Sequence, residues 1–334
     1  MQGMAVDQKN GRMYFAQLRD GSTDDIDLCI TETDFAGKET GHMYHNNAGH
    51  GVSIGVEAVG KDSYLWVETD ADKSTKRGTA LLRFKFDDGK TPKGTTLFKG
   101  SDTITAATDP INGRIVIRRK ESGGMTFRLL SFADARDEAL NKQLAKFVQP
   151  DLANPNPTFQ GYTIFGSYLY TFDGEGHDNA KDINSYITRI NMKTGKKEDR
   201  RLTKVGDHLD YREPEGMAVY QSGSTPRLLF GFGSRDGINR YANVYFLSAF
   251  EKLEHFAGSF QQRAPTNETS RPGPAQVELG PRTEPPRATP SFHKTEDKGH
   301  GRTEVRRVWV TSKLDHLAAL ITWSGVQTLR GTVV

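Results

Sequence analysis

One short pattern recurs five times along the chain: a polar residue or glycine, a short apolar run, a turn, then a second apolar run. The copies pair Gln2-Gly3-Met4-Ala5-Val6-Asp7 with Arg12-Met13-Tyr14-Phe15, and Gly55-Val56-Glu57-Ala58-Val59 with Tyr64-Leu65-Trp66-Val67. Thr105-Ala106-Ala107-Thr108-Asp109 precedes Arg114-Ile115-Val116-Ile117, and Gln160-Gly161-Tyr162-Thr163-Ile164 precedes Tyr168-Leu169-Tyr170. Glu215-Gly216-Met217-Ala218-Val219 precedes Arg227-Leu228-Leu229-Phe230. Their starts lie roughly 50–55 residues apart, a period that marks repeat architectures. Strand pairs at that period predict the blades of a β-propeller, small antiparallel sheets set around a channel. A third, alternating run follows in each unit, at 27–33, 80–86, 126–131, 185–191 and 242–247, as half-buried strands require. The polar residues that open each copy then converge on one end of the channel.

The fold class that follows is all-β, a five-bladed β-propeller over residues 1–250. The 34 glycines suit its many tight turns. One helix is predicted, over 132–147, in place of a strand connection in the third unit. From 251 to 304 the chain is rich in Pro, Arg, Thr, Glu and Gly, a composition that predicts a disordered linker. Residues 305–334 regain apolar side chains without a copy of the repeat. They predict a short docking helix or, equally, the tail that a shifted reading frame produces. Propellers commonly close by pairing sequence from both ends, and nothing precedes Gln2 to do so. The sequence therefore predicts an open ring, with the natural N-terminus and any export leader lying upstream.

A formal net charge of +3 on 334 residues gives no reason to expect a nucleic acid partner. No apolar run approaches the ~20 residues of a membrane span. The first residues, MQGMAVDQKNGR, lack the charged start and apolar core of a signal peptide. Cys29 is the single cysteine, so no internal disulfide forms.

Several short motifs stand in one order along 1–250: Asp27-Leu28-Cys29-Ile30-Thr31, Gly49-His50-Gly51-Val52-Ser53-Ile54-Gly55-Val56-Glu57, Phe159-Gln160-Gly161-Tyr162, Asn184-Ser185-Tyr186 and Tyr211-Arg212-Glu213-Pro214-Glu215-Gly216-Met217-Ala218. In these the chain resembles the actinobacterial proteins called teichoic acid biosynthesis protein C, which share their propeller with receptor-binding proteins of staphylococcal phages. The resemblance implies a five-bladed propeller on an extracellular or cell-wall-associated protein that engages cell-wall glycopolymer. The chain departs from that family at both ends.

Residues at the expected channel mouth are the ligand-binding candidates: Gln2, His50, Glu57, Gln160, Tyr162, Arg212, Glu213 and Glu215, with Thr105 beside them. His50 lies between two glycines, where the backbone leaves the imidazole room to protrude. His42, His45 and His50 share a metal-like spacing but lack a further anchoring ligand, so no metal site is assigned. Glu57 and Glu215 would be the start of a channel calcium site, which needs six to eight oxygens; no other cofactor is expected. Aromatic residues Tyr44, Trp66, Tyr162, Tyr170, Tyr211 and Tyr241 are candidates for sugar faces or for core. Arg118-Arg119-Lys120, and Lys196-Lys197 with Arg200-Arg201, suit phosphates or a solvated strand edge.

Nucleophile elbows, P-loops and zinc-protease motifs are all missing from the sequence. Two readings lead, ahead of a third, an intracellular scaffold that offers its blade edges to protein partners. The mouth binds an anionic cell-wall glycopolymer such as teichoic acid without turnover. Alternatively it is a secreted polysaccharide lyase or hydrolase, with His50 or Tyr211 as base, Arg212 neutralising an anionic group and Glu215 as acid.

Overall fold

The structure, a computed structural model, describes residues 1–19, 26–152, 158–177, 183–236, 239–247 and 326–330. The chain divides into two units, 1–255 with 305–334 and, separately, 256–304. The described residues all belong to the first unit, so the linker expected over 251–304 lies outside them.

Five four-stranded antiparallel sheets make up this unit, each in simple chain order. Blade 1 holds β1 (Gly3–Asp7), β2 (Arg12–Leu18), β3 (Leu28–Asp34) and β4 (Glu39–His45). Blade 2 holds β5 (Gly55–Val59), β6 (Asp62–Asp72), β7 (Arg77–Lys85) and β8 (Gly94–Leu97). Blade 3 holds β9 (Ile104–Asp109), β10 (Arg114–Glu121), β11 (Gly124–Ser131) and β12 (Ala145–Val148). Blade 4 holds β13 (Phe159–Phe165), β14 (Tyr168–Asp173), β15 (Tyr186–Asn191) and β16 (Lys197–Leu202). Blade 5 holds β17 (Glu213–Ser222), β18 (Thr225–Asp236), β19 (Asn239–Leu247) and β20 (Val326–Arg330). The first strand of each blade is innermost, and β1, β5, β9, β13 and β17 touch in a ring. This is the five-bladed β-propeller that the repeat predicts.

Apolar side chains gather in the seams between blades. Tyr14 and Ile30 meet Val56 and Phe84 between blades 1 and 2. Trp66 and Leu81 meet Ile104 and Ile115 between blades 2 and 3, and Phe127 meets Tyr162 and Leu169 between blades 3 and 4. Phe172 meets Phe230 and Phe232 between blades 4 and 5. The fifth seam is built the same way, with Met4, Val6 and Phe15 against Ala218, Leu229 and Phe246. Each large apolar side chain removed from water there contributes about 1.5–3 kcal/mol.

That fifth seam corrects the open ring expected from the sequence. Closure needs no strand from the other end, because face-to-face packing of blades 5 and 1 completes the circle. Two side-chain ties add to it: Gln2 Nε2 donates to Glu215 Oε1 at 3.1 Å, and Gln8 binds the backbone of Gln221.

Two hairpin turns at the far end repeat one chemistry. Asp7 accepts from the backbone and side chain of Asn10, and Asp109 does the same with Asn112. Each turn also ties to a neighbouring blade. Ser63 Oγ of blade 2 donates to Asp7 at 2.5 Å, and Arg114 joins Asp109 to the carbonyl of Gly166 in blade 4, each at 2.7 Å.

The helix expected over 132–147 is corrected. A five-residue helix, α1 (Phe132–Arg136), is capped by Ser131 and stops at Asp137; Glu138 then takes a positive φ of 51°. A 3-10 turn at Leu140–Lys142 leads into β12. Phe147 is more use in the sheet, where it pairs with Phe127 and packs against its ring at 5.4 Å. The apolar tail expected over 305–334 also differs. Its described portion is neither helix nor coil but β20, paired antiparallel to β19 from Asn243↔Arg330 to Leu247↔Val326.

Candidate functional site: the channel mouth

The inner strands all start at one end of the axis, so the residues before them form a mouth. Its floor is backbone. A methyl group added at Gly161 would sit 3.0 Å from the backbone of Gly216, and one at Gly216 2.8 Å from that of Gly3. One at Gly3 would sit 2.6 Å from the carbonyl oxygen of Gly51. Glycine at these points lets three inner strands and the His50 loop close on one another. Ser53 Oγ donates across to the carbonyl of Tyr162 at 3.3 Å, joining blades 2 and 4, which are not neighbours in the ring.

On the blade 4 and 5 side the predicted residues come together. Gln2 holds one oxygen of Glu215, and Gln160 Nε2 donates to Glu213 Oε1 at 3.5 Å. Glu215 is 3% exposed, and its Oε2 has no partner among the described residues. Burial, reinforced by the charge of Glu213, raises its pKa well above the usual carboxylate range. Tyr211 and Arg212, before β17, take left-handed backbone with φ of 68° and 27°. That turn is held by the amide of His177, which donates to the carbonyl of Tyr211 at 3.0 Å, and Gly176 leaves room for the phenol ring. The guanidinium of Arg235 stands 4.5 Å from the ring centroid of Tyr211, and that of Arg240 stands 5.9 Å away. Burial, then Glu213, raises the Tyr211 pKa.

On the blade 2 side stand His50, Glu68 and Arg77, while Arg118 lies on the face of blade 3 that meets blade 4. Glu68 is fully buried and accepts from the backbone N–H groups of Gly51 and Gly78, each at 2.6 Å. It thereby fixes the loop that presents His50. Burial, with the nearby charge of Arg77, pulls the His50 pKa down to about 4, so its imidazole is neutral at pH 7. Arg118 donates from Nε to Gln149 at 2.8 Å and lies 3.9 Å from the ring centroid of Phe159.

Three predicted residues leave the site. Arg212 is fully buried behind the mouth, giving its N–H groups to the carbonyls of Thr203 and Val205 and to Ser185 Oγ at 2.7–3.0 Å. Its left-handed backbone turns the side chain away from its neighbours Tyr211 and Glu213, and it packs on Phe232 at 4.1 Å. Glu57 lies on the blade face instead, bound by Arg83 at 2.8 Å and by Arg136 of α1. Both of its oxygens are thereby engaged by guanidinium groups. Tyr162 is fully buried with its hydroxyl against Thr105 Oγ1 at 3.0 Å, so it supports the floor without facing a ligand. Trp66 and Tyr170 are core residues as well.

His45 is committed to the carbonyl of Glu68 at 3.2 Å, and His42, His45 and His50 form no metal-ligating group among the described residues. Arg200 of the basic strand β16 is spent on Asp173, with both contacts under 2.8 Å. Sequence reasoning missed Glu68, Arg77, Arg235 and Arg240. The signal for Glu68 was present, since a carboxylate inside the run Leu65-Trp66-Val67-Glu68 is costly unless it is hydrogen-bonded.

A closed ring of five blades with polar groups gathered at the start of its inner strands defines a five-bladed propeller with a polar mouth at one end of its axis. The chain belongs to the family of the phage 5-bladed beta propeller receptor binding platform domain, whose model matches residues 1–246. A search of curated protein sequences returns no match. Among solved structures, an endo-1,4-beta-xylanase from Bacteroides thetaiotaomicron is similar at 11% identity and a TM-score of 0.43, over 72% of this chain and 88% of that one. The GH62 alpha-L-arabinofuranosidase catalytic domain of Coprinopsis cinerea is similar at 10% identity and a TM-score of 0.38, over 59% and 64%. The Malassezia sympodialis allergen Mala s 1 is similar at 11% and 0.33, over 75% and 87%. Likeness at this level carries no activity across. No helix among the described residues is long and apolar enough to cross a membrane.

Proposed function

We propose that the mouth binds an anionic cell-wall glycopolymer, a teichoic acid or related polysaccharide, as a receptor-binding surface. The observation that carries this reading is the charge of the mouth. Arg235 and Arg240 stand at Tyr211 and Arg118 at Phe159, with Arg77 near His50, whereas the carboxylate of Glu215 is buried and that of Glu68 is turned to backbone N–H groups. Glu213 is the half-exposed carboxylate left among them. Sugar hydroxyls find complementary donors and acceptors in Gln2, Gln160, Glu213 and Tyr211. Membership of a receptor-binding platform family supports a ligand on a cell surface. The resemblance of its motifs to teichoic acid biosynthesis protein C supports a wall polymer as that ligand and a location outside the cell.

A second reading, glycan cleavage, draws on one observation. Glu215 holds its proton above the usual carboxylate range beside Glu213, the pairing of acid and carboxylate that glycoside hydrolysis uses. Arg212 no longer serves it, being buried elsewhere, whereas His50, neutral at pH 7, keeps the form a general base needs.

Incubation of the full chain with teichoic acids and neutral polysaccharides, followed by co-sedimentation and mass analysis, tests both. Intact polymer that sediments with the protein supports binding. Shortened polymer, lost in Glu215→Gln, supports cleavage. Failure of every anionic polymer to sediment overturns the first reading.

A further inference from the structure

We propose that Arg235 and Arg240, opposite each other on β18 and β19 and gathered at the ring of Tyr211, form a subsite for a single phosphate group. The inference rests on the glycopolymer reading of the mouth and specifies which part of the ligand the blade 5 side takes.

The backbone register puts the two arginines together. Arg235 pairs directly with Arg240 in the antiparallel ladder, so their side chains stand on one face of the sheet. Both guanidinium groups reach the same aromatic ring, at 4.5 Å and 5.9 Å from the centroid of Tyr211. Like charges directly opposite each other destabilise a sheet. At a second such pair the protein offsets this with a carboxylate. Arg128 and Lys146 face each other across β11 and β12, and Glu121 binds both, at 2.7 Å and 3.3 Å. Arg240 is exposed and forms no ion pair among the described residues, so no carboxylate among them bridges it to Arg235. Glu213 accepts from Gln160 and sets one negative charge against two positive ones. The part that Glu121 plays between Arg128 and Lys146 falls here to an anion from outside the chain.

The ring that the two arginines share is fixed in place. Tyr211 takes left-handed backbone, with a φ of 68°, which a residue other than glycine adopts at a cost and which recurs where ligands are held. Its carbonyl accepts from the amide of His177 at 3.0 Å, and its own amide donates to Asp210 Oδ1 at 3.1 Å. The amide of Arg235 donates to the carbonyl of Asp210 at 3.2 Å, which straps the end of β18 to the same turn. The hydroxyl end of the ring lies on Gly176, where an added methyl group would sit 2.8 Å from it. A guanidinium held on an aromatic ring loses little freedom on binding, and its fork takes two phosphate oxygens at once. Phosphate presents its oxygens in three dimensions, so two forks at different distances from the ring can both engage it. The two oxygens of a carboxylate lie in one plane, and a neutral polysaccharide presents no such group.

The test is a phosphorus-31 NMR titration of the full chain with inorganic phosphate and with glycerol 3-phosphate, glucuronate serving as competitor. Wild type shows a saturable shift that glucuronate displaces only in large excess. Arg235→Gln and Arg240→Gln each weaken phosphate binding at least ~10-fold, while Arg201→Gln, an exposed partner of Asp199, leaves it unchanged. Melting within a few degrees of wild type establishes that a variant is folded; if Arg235→Gln is not, the exposed Arg240→Gln decides alone. Unaltered phosphate affinity in the folded variants, or no saturable binding in wild type, overturns the subsite. Glucuronate that competes on equal terms overturns its assignment to phosphate. Polymer that still sediments with a protein blind to phosphate overturns the subsite and spares the glycopolymer reading. Loss of both overturns both.

Discussion

Gln8 and Gln221 bind each other as two facing strand residues would, although only one of them uses its backbone. The Gln8 side chain donates from Nε2 to the carbonyl of Gln221 at 2.6 Å and accepts on Oε1 from the Gln221 N–H at 2.7 Å. An amide side chain in blade 1 thus stands in for a peptide group on the edge of blade 5. Gln8→Ala leaves that N–H and carbonyl unpaired and lowers stability by about 1–3 kcal/mol, read by denaturant unfolding. An unchanged midpoint would mean that the apolar seam alone closes the ring.

Arg212 predicts the opposite of what a ligand-binding arginine would show. Its replacement by Met strands the carbonyls of Thr203 and Val205 around an apolar side chain. Unfolding free energy falls by about 2–4 kcal/mol, and the variant that still folds at low temperature binds polymer as wild type does. Normal stability with lost binding would return Arg212 to the mouth.

Glu215 gives the stability a pH dependence of known sign. Its pKa is raised in the folded state, so above pH 4.5 the folded protein binds more protons at this position than the unfolded chain. Stability from this group is therefore full below about pH 4.5 and is lost as pH rises through the folded value. His45 and His50 act the other way. With pKa values near 4 against 6.5 unfolded, they add stability as pH rises from 4 to 6.5. Glu215→Gln removes the falling contribution, so its unfolding free energy gains on that of wild type as pH is raised above 4.5. Parallel pH profiles for the two proteins would show that Glu215 titrates normally.

Binding and stability separate at two other carboxylates. Glu213→Ala weakens polymer binding about 10-fold, near 1.4 kcal/mol, and barely moves the melting temperature. Glu57→Ala releases Arg83 and Arg136, lowers the melting temperature and leaves binding intact. Isothermal titration and thermal melting of the two variants check this, and a binding defect in Glu57→Ala would place it back at the mouth.

The repeat made the propeller legible because its inner strands are covered on both faces and read as unbroken apolar runs, as in Met4-Ala5-Val6. Gln2, Gln160, Glu213 and Glu215 were legible for a related reason: each stands at or near the start of an inner strand. Arg212 was not, because what turns it inward is a local backbone twist that residue types other than glycine do not announce. Glu57 was misplaced since a two-residue alternation says which residues share a face and not which face meets the channel. Closure of the ring was hidden altogether. It depends on surfaces of residues 4–15 and 218–246 that fit each other across the length of the sequence.

The glycine contacts among Gly3, Gly51, Gly161 and Gly216, with Ser53 bridging to Tyr162, draw the inner strands together beneath the mouth. On the glycopolymer reading a polymer would lie across the rim at any of its repeating units, so a long chain would offer many equivalent landing places and a short one few. Occupancy would then grow with the number of repeats on the surface encountered.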